Sequence, residues 1–327
     1  MNEKTSYFNA LNRLFRDAFK VSYDLFKIMV PVIIAVKILQ ELDLIKYLAM
    51  PLGPVMNVVG LPGEMGLVWA TALLNNIYSS IIVLLSLVKD VPITTAQATI
   101  LGTMILVAHN LPIELKIAQK SGPRLIFQAI SRLSSAFILG WFLNTVYSWF
   151  NLLQQPADIL LTPKSENVLN NESLISWAAN EVQNLFFIFL VILGLFFLLR
   201  TLEKLRIVDV INRILRPVLE LMGIGPKASA ITVIGNTLGI AFGGGLIIHE
   251  AKSGHIDKKD VFYSLTLMGL SHSLIEDTLL MIMIGGHLSG LLCARIGYSF
   301  IVVTLLVKLT KRLPAAFCDK FLWAEPK

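Results

Sequence analysis

Two short runs hold most of the residues able to do chemistry in an otherwise apolar chain. The first, LVAHNLPIELKIAQKSG, carries His109, Asn110 and Glu114; the second, LMGLSHSLIEDTLLMIMIGG, carries Ser271, His272, Ser273, Glu276 and Asp277. An ionised side chain at a bilayer centre costs roughly 2.5–3.5 kcal/mol even on the lenient insertion scale, so each of these groups needs a partner or a task. His272 and Glu276 are four apart and share a helix face. His109 and Glu114 are five apart, which a regular helix would place about 140° from one another. Pro112 lies between them; it lacks an N–H and clashes with the preceding turn, so the sequence predicts a helix broken at His-Asn-Leu-Pro with carbonyls freed near residue 108.

Two imidazoles with carboxylates admit three chemistries. His109, Glu114, His272 and Glu276 suit a divalent transition-metal ion, through imidazole nitrogen and carboxylate oxygen. The same groups, with Asn110, Ser273, Asp277 and the more distant Asn75, Asn76 and Asn236, could hydrogen-bond a polar organic solute such as a nucleoside. A proton relay is the third. The Asn and Ser side chains beside the acids tilt the sequence reading toward an uncharged solute. A purely structural role stands against all three, namely a buried His–carboxylate pair that joins two helices.

Little else in the chain offers chemistry. His249, His255 and His287 fall at segment ends or in loops, and HEAKSGH lacks the HExxH spacing because position 253 is Ser. No GxxxxGK[ST], GxSxG or CxxC run occurs, and Cys293 and Cys318 have no metal-ligand spacing. The chain therefore reads as a non-enzyme without a resident cofactor; an intramembrane hydrolase finds no nucleophile or zincin motif.

The elements that must position these residues follow from composition. Of 327 residues, 55% are hydrophobic and 15% charged, and the mean hydropathy is +0.70. A soluble domain carries about 25% charged residues. This excess excludes disorder, a disulfide scaffold and a cytosolic enzyme, and gives an all-α integral membrane protein. The net charge of +6 comes from bases flanking apolar spans, which suits anionic lipid and cytoplasmic loops and not nucleic acid. Residues 1–20 lack the apolar core of a signal peptide. Tyr7, Leu11, Leu14, Phe15 and Phe19 can share one face there, opposite Arg13, Arg16 and Lys20, which predicts a helix on the cytoplasmic membrane surface.

A repeat with a constant offset of 163 organises the chain. Pro54 falls on Pro217, Gly60 on Gly223, Thr103 on Thr266, His109 on His272 and Gly122 on Gly285, and Glu114 falls on Asp277. Each half, 1–150 and 176–327, reads as an apolar helix (22–40, 177–199), an amphipathic stretch (41–60, 201–223) and a small-residue segment (64–88, 227–251). Then come the His-bearing helix (94–120, 258–284) and a last apolar helix (124–150, 287–309). Residues 151–175 read as an extracytoplasmic loop.

If every apolar segment crossed the membrane, the bases Lys116, Lys120, Arg124 and Arg132 would lie outside and the acids of 151–181 inside, against the positive-inside tendency. Making 64–88 and 227–251 re-entrant hairpins puts every basic cluster, and both termini, on the cytoplasmic side. It also leaves three crossings per half, so the two halves are inverted repeats, a recurrent build for secondary transporters. The tips are expected at Asn75-Asn76 and at Gly235, Gly239 and Gly243–Gly245. Glycines spaced by four equally suit a close helix–helix contact.

The PLGPVMNVVGLPGE and RPVLELMGIGPKAS stretches, each preceding a small-residue hairpin, and the HNLPIE and HSLIED runs that follow, resemble the nucleoside-recognition, or Gate-domain, membrane proteins. The resemblance covers about 40–150 and 200–310. Similar modules form the membrane part of ferrous-iron transport B proteins and of spore-maturation membrane proteins, and look similar to part of the concentrative nucleoside transporters. It implies a transport-like fold with paired re-entrant hairpins and leaves the cargo open between nucleosides and ferrous iron. The chain departs from the iron transporters by lacking a GTP-binding domain. The expectation is an inner-membrane, multi-pass carrier for a small polar solute or ion, with the lipid bilayer as its other partner and a homodimer left open. The alternative is a non-transporting accessory or scaffold protein.

Overall fold

A computed structural model describes residues 3–42, 44–161, 174–238 and 240–326. Helix is the dominant element among them, with only isolated bridges at Thr94–Pro156 and Pro123–Trp323. The first half comprises α1 (Glu3–Glu41), the short α2 (Ile45–Ala49) and α3 (Gly53–Val58), α4 (Met65–Leu74), α5 (Ile77–Leu87), α6 (Thr95–Val107), α7 (Leu111–Ser121) and α8 (Leu125–Trp149). The second comprises α9 (Leu174–Lys204), α10 (Ile207–Leu221), α11 (Pro226–Leu238), α12 (Ile240–Lys252), α13 (Lys258–Ser271), α14 (Glu276–Met283), a π-helical turn over Ser289–Ala294, α15 (Arg295–Thr310) and α16 (Ala315–Phe321).

Among the described residues, five segments are long and apolar enough to cross a membrane: Thr95–Ser121, Leu125–Trp149, Ile175–Gly194, Lys258–Met283 and Ser289–Thr310. A hydrocarbon core of about 30 Å needs about 20 helical residues, and all five meet that length. Their outer faces are apolar: Ile126, Ile130, Trp141 and Phe142 on α8, and Ile301, Leu305 and Leu309 on α15, are all exposed. No water-soluble protein would leave such rows uncovered, and lipid is the solvent that suits them.

One expected boundary moves. The surface helix of residues 1–20 and the apolar helix of 22–40 are one continuous α1 of 39 residues, because nothing between them ends a helix and Pro31 is accommodated inside it. Its side chains Tyr7, Leu11, Arg13, Leu14 and Phe15 lie outside the described residues, as do residues 162–173 of the expected loop.

Each small-residue segment forms a helical hairpin. In the first, Asn76 ends the break between α4 and α5: its Oδ1 accepts from Ser79 N at 2.9 Å, a side-chain cap on the new helix. In the second, α11 ends at Leu238 and α12 starts at Ile240, and Gly239, one of the expected tip glycines, lies outside the described residues. Gly235 and Gly243–Gly245 fall within those helices and not at the tip. A Cβ on Gly235 would stand 2.1 Å from Met268 Cε, so this glycine serves a close helix–helix contact.

The two hairpins root at opposite ends of the molecule. Gly60, ahead of α4, accepts from Gln97 Nε2 at the start of α6, and α5 leads back to the same end. Residues 153–160 lie there too, through Ala96 N to Leu153 O, Thr95 N to Gln155 O and Leu160 N to Met283 O. Gly225, ahead of α11, stands instead against Asp260 at the start of α13. That second end also gathers the α7–α8 turn and the C-terminal segment, joined by Ala324 N to Gly122 O and by the Lys258–Glu325 ion pair. Gly122 takes φ +120° with Ala324 O only 2.9 Å from where a Cβ would sit, so no other residue fits that turn.

Candidate metal centre

Both His-bearing helices break midway along their length. α6 ends at Val107 and α7 starts at Leu111, with Asn110 at φ 48° and Pro112 inside the first turn of α7, where its missing N–H costs nothing. α13 ends at Ser271 and α14 starts at Glu276, with Ser273 at φ 49°, and no proline is involved. The hairpins meet these breaks: Asn110 N donates to Ala72 O at 2.8 Å, and Leu274 N donates to Asn236 O at 3.0 Å. The irregular backbone of both breaks is thereby bonded by protein.

His109 and His272 face each other across the molecule. Each Nδ1 lies close to the carbonyl four residues back, 2.9 Å to Ile105 O and 2.8 Å to Met268 O. A carbonyl only accepts, so each Nδ1 carries a proton and, in the neutral ring, each Nε2 presents a lone pair. The two Nε2 atoms are 3.2 Å apart, and Glu114 Oε1 lies 3.4 Å from both. All three side chains are buried, with residue exposures of 5%, 3% and 4% for His109, His272 and Glu114. Three lone-pair-bearing atoms at such spacing repel unless a cation or a proton lies among them.

The geometry fits a metal ion. Bonds of about 2.0–2.1 Å in a tetrahedral site put neighbouring ligand atoms about 3.3–3.4 Å apart, matching the three separations. His nitrogens bound to metal characteristically donate their other N–H to a backbone carbonyl or carboxylate, and both rings do so. The remaining Glu114 oxygen, Oε2, is held by Arg132 Nη1. Arg132 Nε donates to Val107 O and Nη2 to His109 O, each at 3.0 Å. One buried guanidinium therefore satisfies carbonyls freed by the break and fixes the carboxylate beside the rings.

Arg132 is the residue that sequence reasoning misplaced. It belongs with neither the loop charges nor the cytoplasmic surface, being 2% exposed on α8. A signal was present: Arg295 lies 163 residues later, also within an apolar helix, and is 0% exposed.

The other named residues distribute around the three. Glu276 is turned away from His272 by the helix break and accepts from Tyr78 OH at 3.2 Å, so it is not one of the converging ligands. Asp277 sits partly buried in the first turn of α14. Ser271 donates to Leu267 O within its own helix. Asn75 and Asn76 bond each other and Ser79 at the first hairpin tip. Asn236 contributes its backbone carbonyl to the second break, and its buried Oδ1 has no hydrogen-bond partner. His287 bonds Ser289, and His255 pairs with Glu250, both at the periphery.

A search of family models finds none that matches the chain, and no solved structure matches it. The uncharacterized membrane protein YvoD of Bacillus subtilis (strain 168) is 26% identical over 281 residues, which is 85% of this chain and 88% of that protein.

Proposed function

We propose that this protein is a secondary carrier for a divalent transition-metal cation, bound between two inverted repeats by His109, His272 and Glu114. The observation that carries the reading is the convergence of both Nε2 atoms and Glu114 Oε1 with separations of 3.2–3.4 Å, while both Nδ1 atoms are committed to carbonyls. Such a cluster has room for an ion and none for a nucleoside among its ligands, so the geometry turns the preference from an organic solute to a cation.

The carrier architecture has independent support. Residues 163 apart share unusual backbone: Gly60 and Gly223 at φ 73° and 96°, Asn110 and Ser273 at 48° and 49°, Gly122 and Gly285 at 120° and 89°. Equivalent residues also touch directly, His109 with His272 and Ser135 with Tyr298, as residues do on a two-fold axis. The hairpins root at opposite ends, which is what an inverted pair requires. Together these favour six crossings, α1 supplying the sixth, with the Lys116–Arg124 and Lys308–Arg312 clusters and both termini on the cytoplasmic side of the inner membrane. On this reading the motif resemblance to Gate-domain proteins reflects the shared plan of broken helices and paired hairpins, and the chain moves its cargo without chemical change.

The test uses the detergent-purified full chain with Co2+ as a spectroscopic stand-in. The expected result is one equivalent bound, with the intense visible absorption of a low-coordinate nitrogen–oxygen site, lost in His109→Ala and His272→Ala. Zn2+ should also enter proteoliposomes containing the protein and a lumenal zinc dye. Folded protein that binds no Co2+, with flux equal to empty vesicles, would leave the scaffold reading in its place.

A further inference from the structure

The two halves match in sequence but not in how they hold their second carboxylate. Arg132 uses all three guanidinium nitrogens, on Val107 O, His109 O and Glu114. Its equivalent, Arg295, is fully buried, yet only Nη2 is bonded, to Thr278 Oγ1 at 3.1 Å, and Nε and Nη1 have no partner. Asp277, the equivalent of Glu114, makes no ion pair with it. Asp277 acts on Arg295 only through space, and a guanidinium with two unbonded nitrogens in a dry interior is expensive.

The backbone differs in the same place. By the repeat, α14 should begin at residue 274, where α7 begins at 111; it begins at Glu276 instead. The hairpin contact has slid by one residue, since the equivalent of Asn110 N to Ala72 O would be residue 273 to residue 235, and the bond is Leu274 N to Asn236 O. The first half is thus wound up against the histidines, and the second begins its helix two residues late, without an ion pair between Asp277 and Arg295.

We propose that Asp277 is a second carboxylate ligand of the cation, used in the state that opens to the opposite side, with Arg295 as its positioning residue. In that state residues 274–275 wind into α14, Asp277 reaches the two Nε2 atoms as Glu114 does here, and Arg295 takes the carbonyls of the second break. The first half relaxes in exchange, and Glu114 withdraws as Asp277 now is. The imidazoles lie at the centre and serve both states; the carboxylates alternate. This rests on the cation-carrier reading, because it assigns a role within that cycle. The exchange gives each half a carboxylate of its own at one site, and it explains why the duplicated acid was kept as an acid beside a duplicated arginine.

Two measurements on the same variants separate the roles: Co2+ titration of the purified full chain, which reads the state described here, and Zn2+ uptake into proteoliposomes, which needs both states. Glu114→Gln is expected to weaken Co2+ binding by about 10–100-fold, the range for disturbing a metal site. Asp277→Asn, which keeps size and shape, should leave Co2+ binding within about twofold while uptake falls about tenfold or more, and that retained binding reports a folded protein. Arg295→Gln should behave like Asp277→Asn, with part of the uptake restored in Arg295→Lys, a rescue that a packing role alone would not give. Asp277→Asn transporting like the parent protein would overturn the proposal. So would a loss of Co2+ affinity equal to that of Glu114→Gln, because both carboxylates would then act in one state. If His109→Ala, His272→Ala and Glu114→Gln all leave Co2+ binding intact, the failure belongs to the cation-carrier reading itself.

Discussion

At the residue scale the centre depends on an arginine that is not one of its three converging residues. Among the described residues, Arg132 is the only charged partner that the buried Glu114 carboxylate has outside the two histidines. Removing one member of a buried ion pair typically costs about 3–5 kcal/mol, because the other charge stays behind in a dry interior. Arg132→Met should therefore lower the melting temperature of the apo-protein sharply, and Arg132→Met with Glu114→Gln should recover much of that loss without restoring Co2+ binding. A thermal unfolding series in one detergent measures both. The candidate histidines and Glu114 were legible in the sequence because the 163-residue offset repeats a His and an acid in apolar surroundings. Arg132 was not, because counting charges by side treats a base eight residues into a helix as part of the adjoining basic loop. Glu276 misled for a related reason: the four-residue spacing from His272 implies a shared face only while the helix continues, and it stops at Ser271.

At the element scale the broken helices raise the question of what breaks them. Pro112 points to the first break from sequence, yet the second, over residues 272–275, has no proline and the same left-handed residue at the equivalent position. The common factors are hairpin backbone bonding into each gap and, in the first half, a guanidinium accepting the freed carbonyls' demand for donors. Pro112→Ala is accordingly expected to keep the break and the Co2+ site, with a stability change below about 1 kcal/mol, the usual size for such a change where the backbone is already compatible. A Co2+ titration and a melting curve check it; loss of the site would make the proline the cause. Asn76→Ala should cost about 1 kcal/mol through the lost cap on α5. It should also loosen the hairpin tip, read as faster amide exchange at Ser79. The hairpins were expected from the charge count, because treating 64–88 and 227–251 as crossings puts the basic clusters on the wrong side, and their asparagines and glycines suit a turn. The continuity of α1 was not, because an amphipathic pattern passing into an apolar one resembles a boundary even where no residue ends the helix.

At the scale of the whole molecule, the proposed inversion would let one pair of histidines serve two faces of a membrane. Each broken helix gives its hairpin backbone to bond, and on the proposed carrier reading each hairpin would close the route to the centre from the end at which it is rooted. The arrangement requires Lys89, beyond the first hairpin, and Lys116, on α7, to lie on opposite sides of the bilayer. The free cysteines, Cys293 and Cys318, are first replaced by Ala, since Cys293 is exposed. Lys89→Cys and Lys116→Cys are then labelled singly with a membrane-impermeant maleimide on spheroplasts. Lys89→Cys should react at once and Lys116→Cys only after permeabilisation. The reverse pattern, with Lys116→Cys reacting at once and Lys89→Cys only after permeabilisation, would mean that the 64–88 segment crosses the membrane. The second half would then run parallel to the first, and no shared centre could face both compartments in turn.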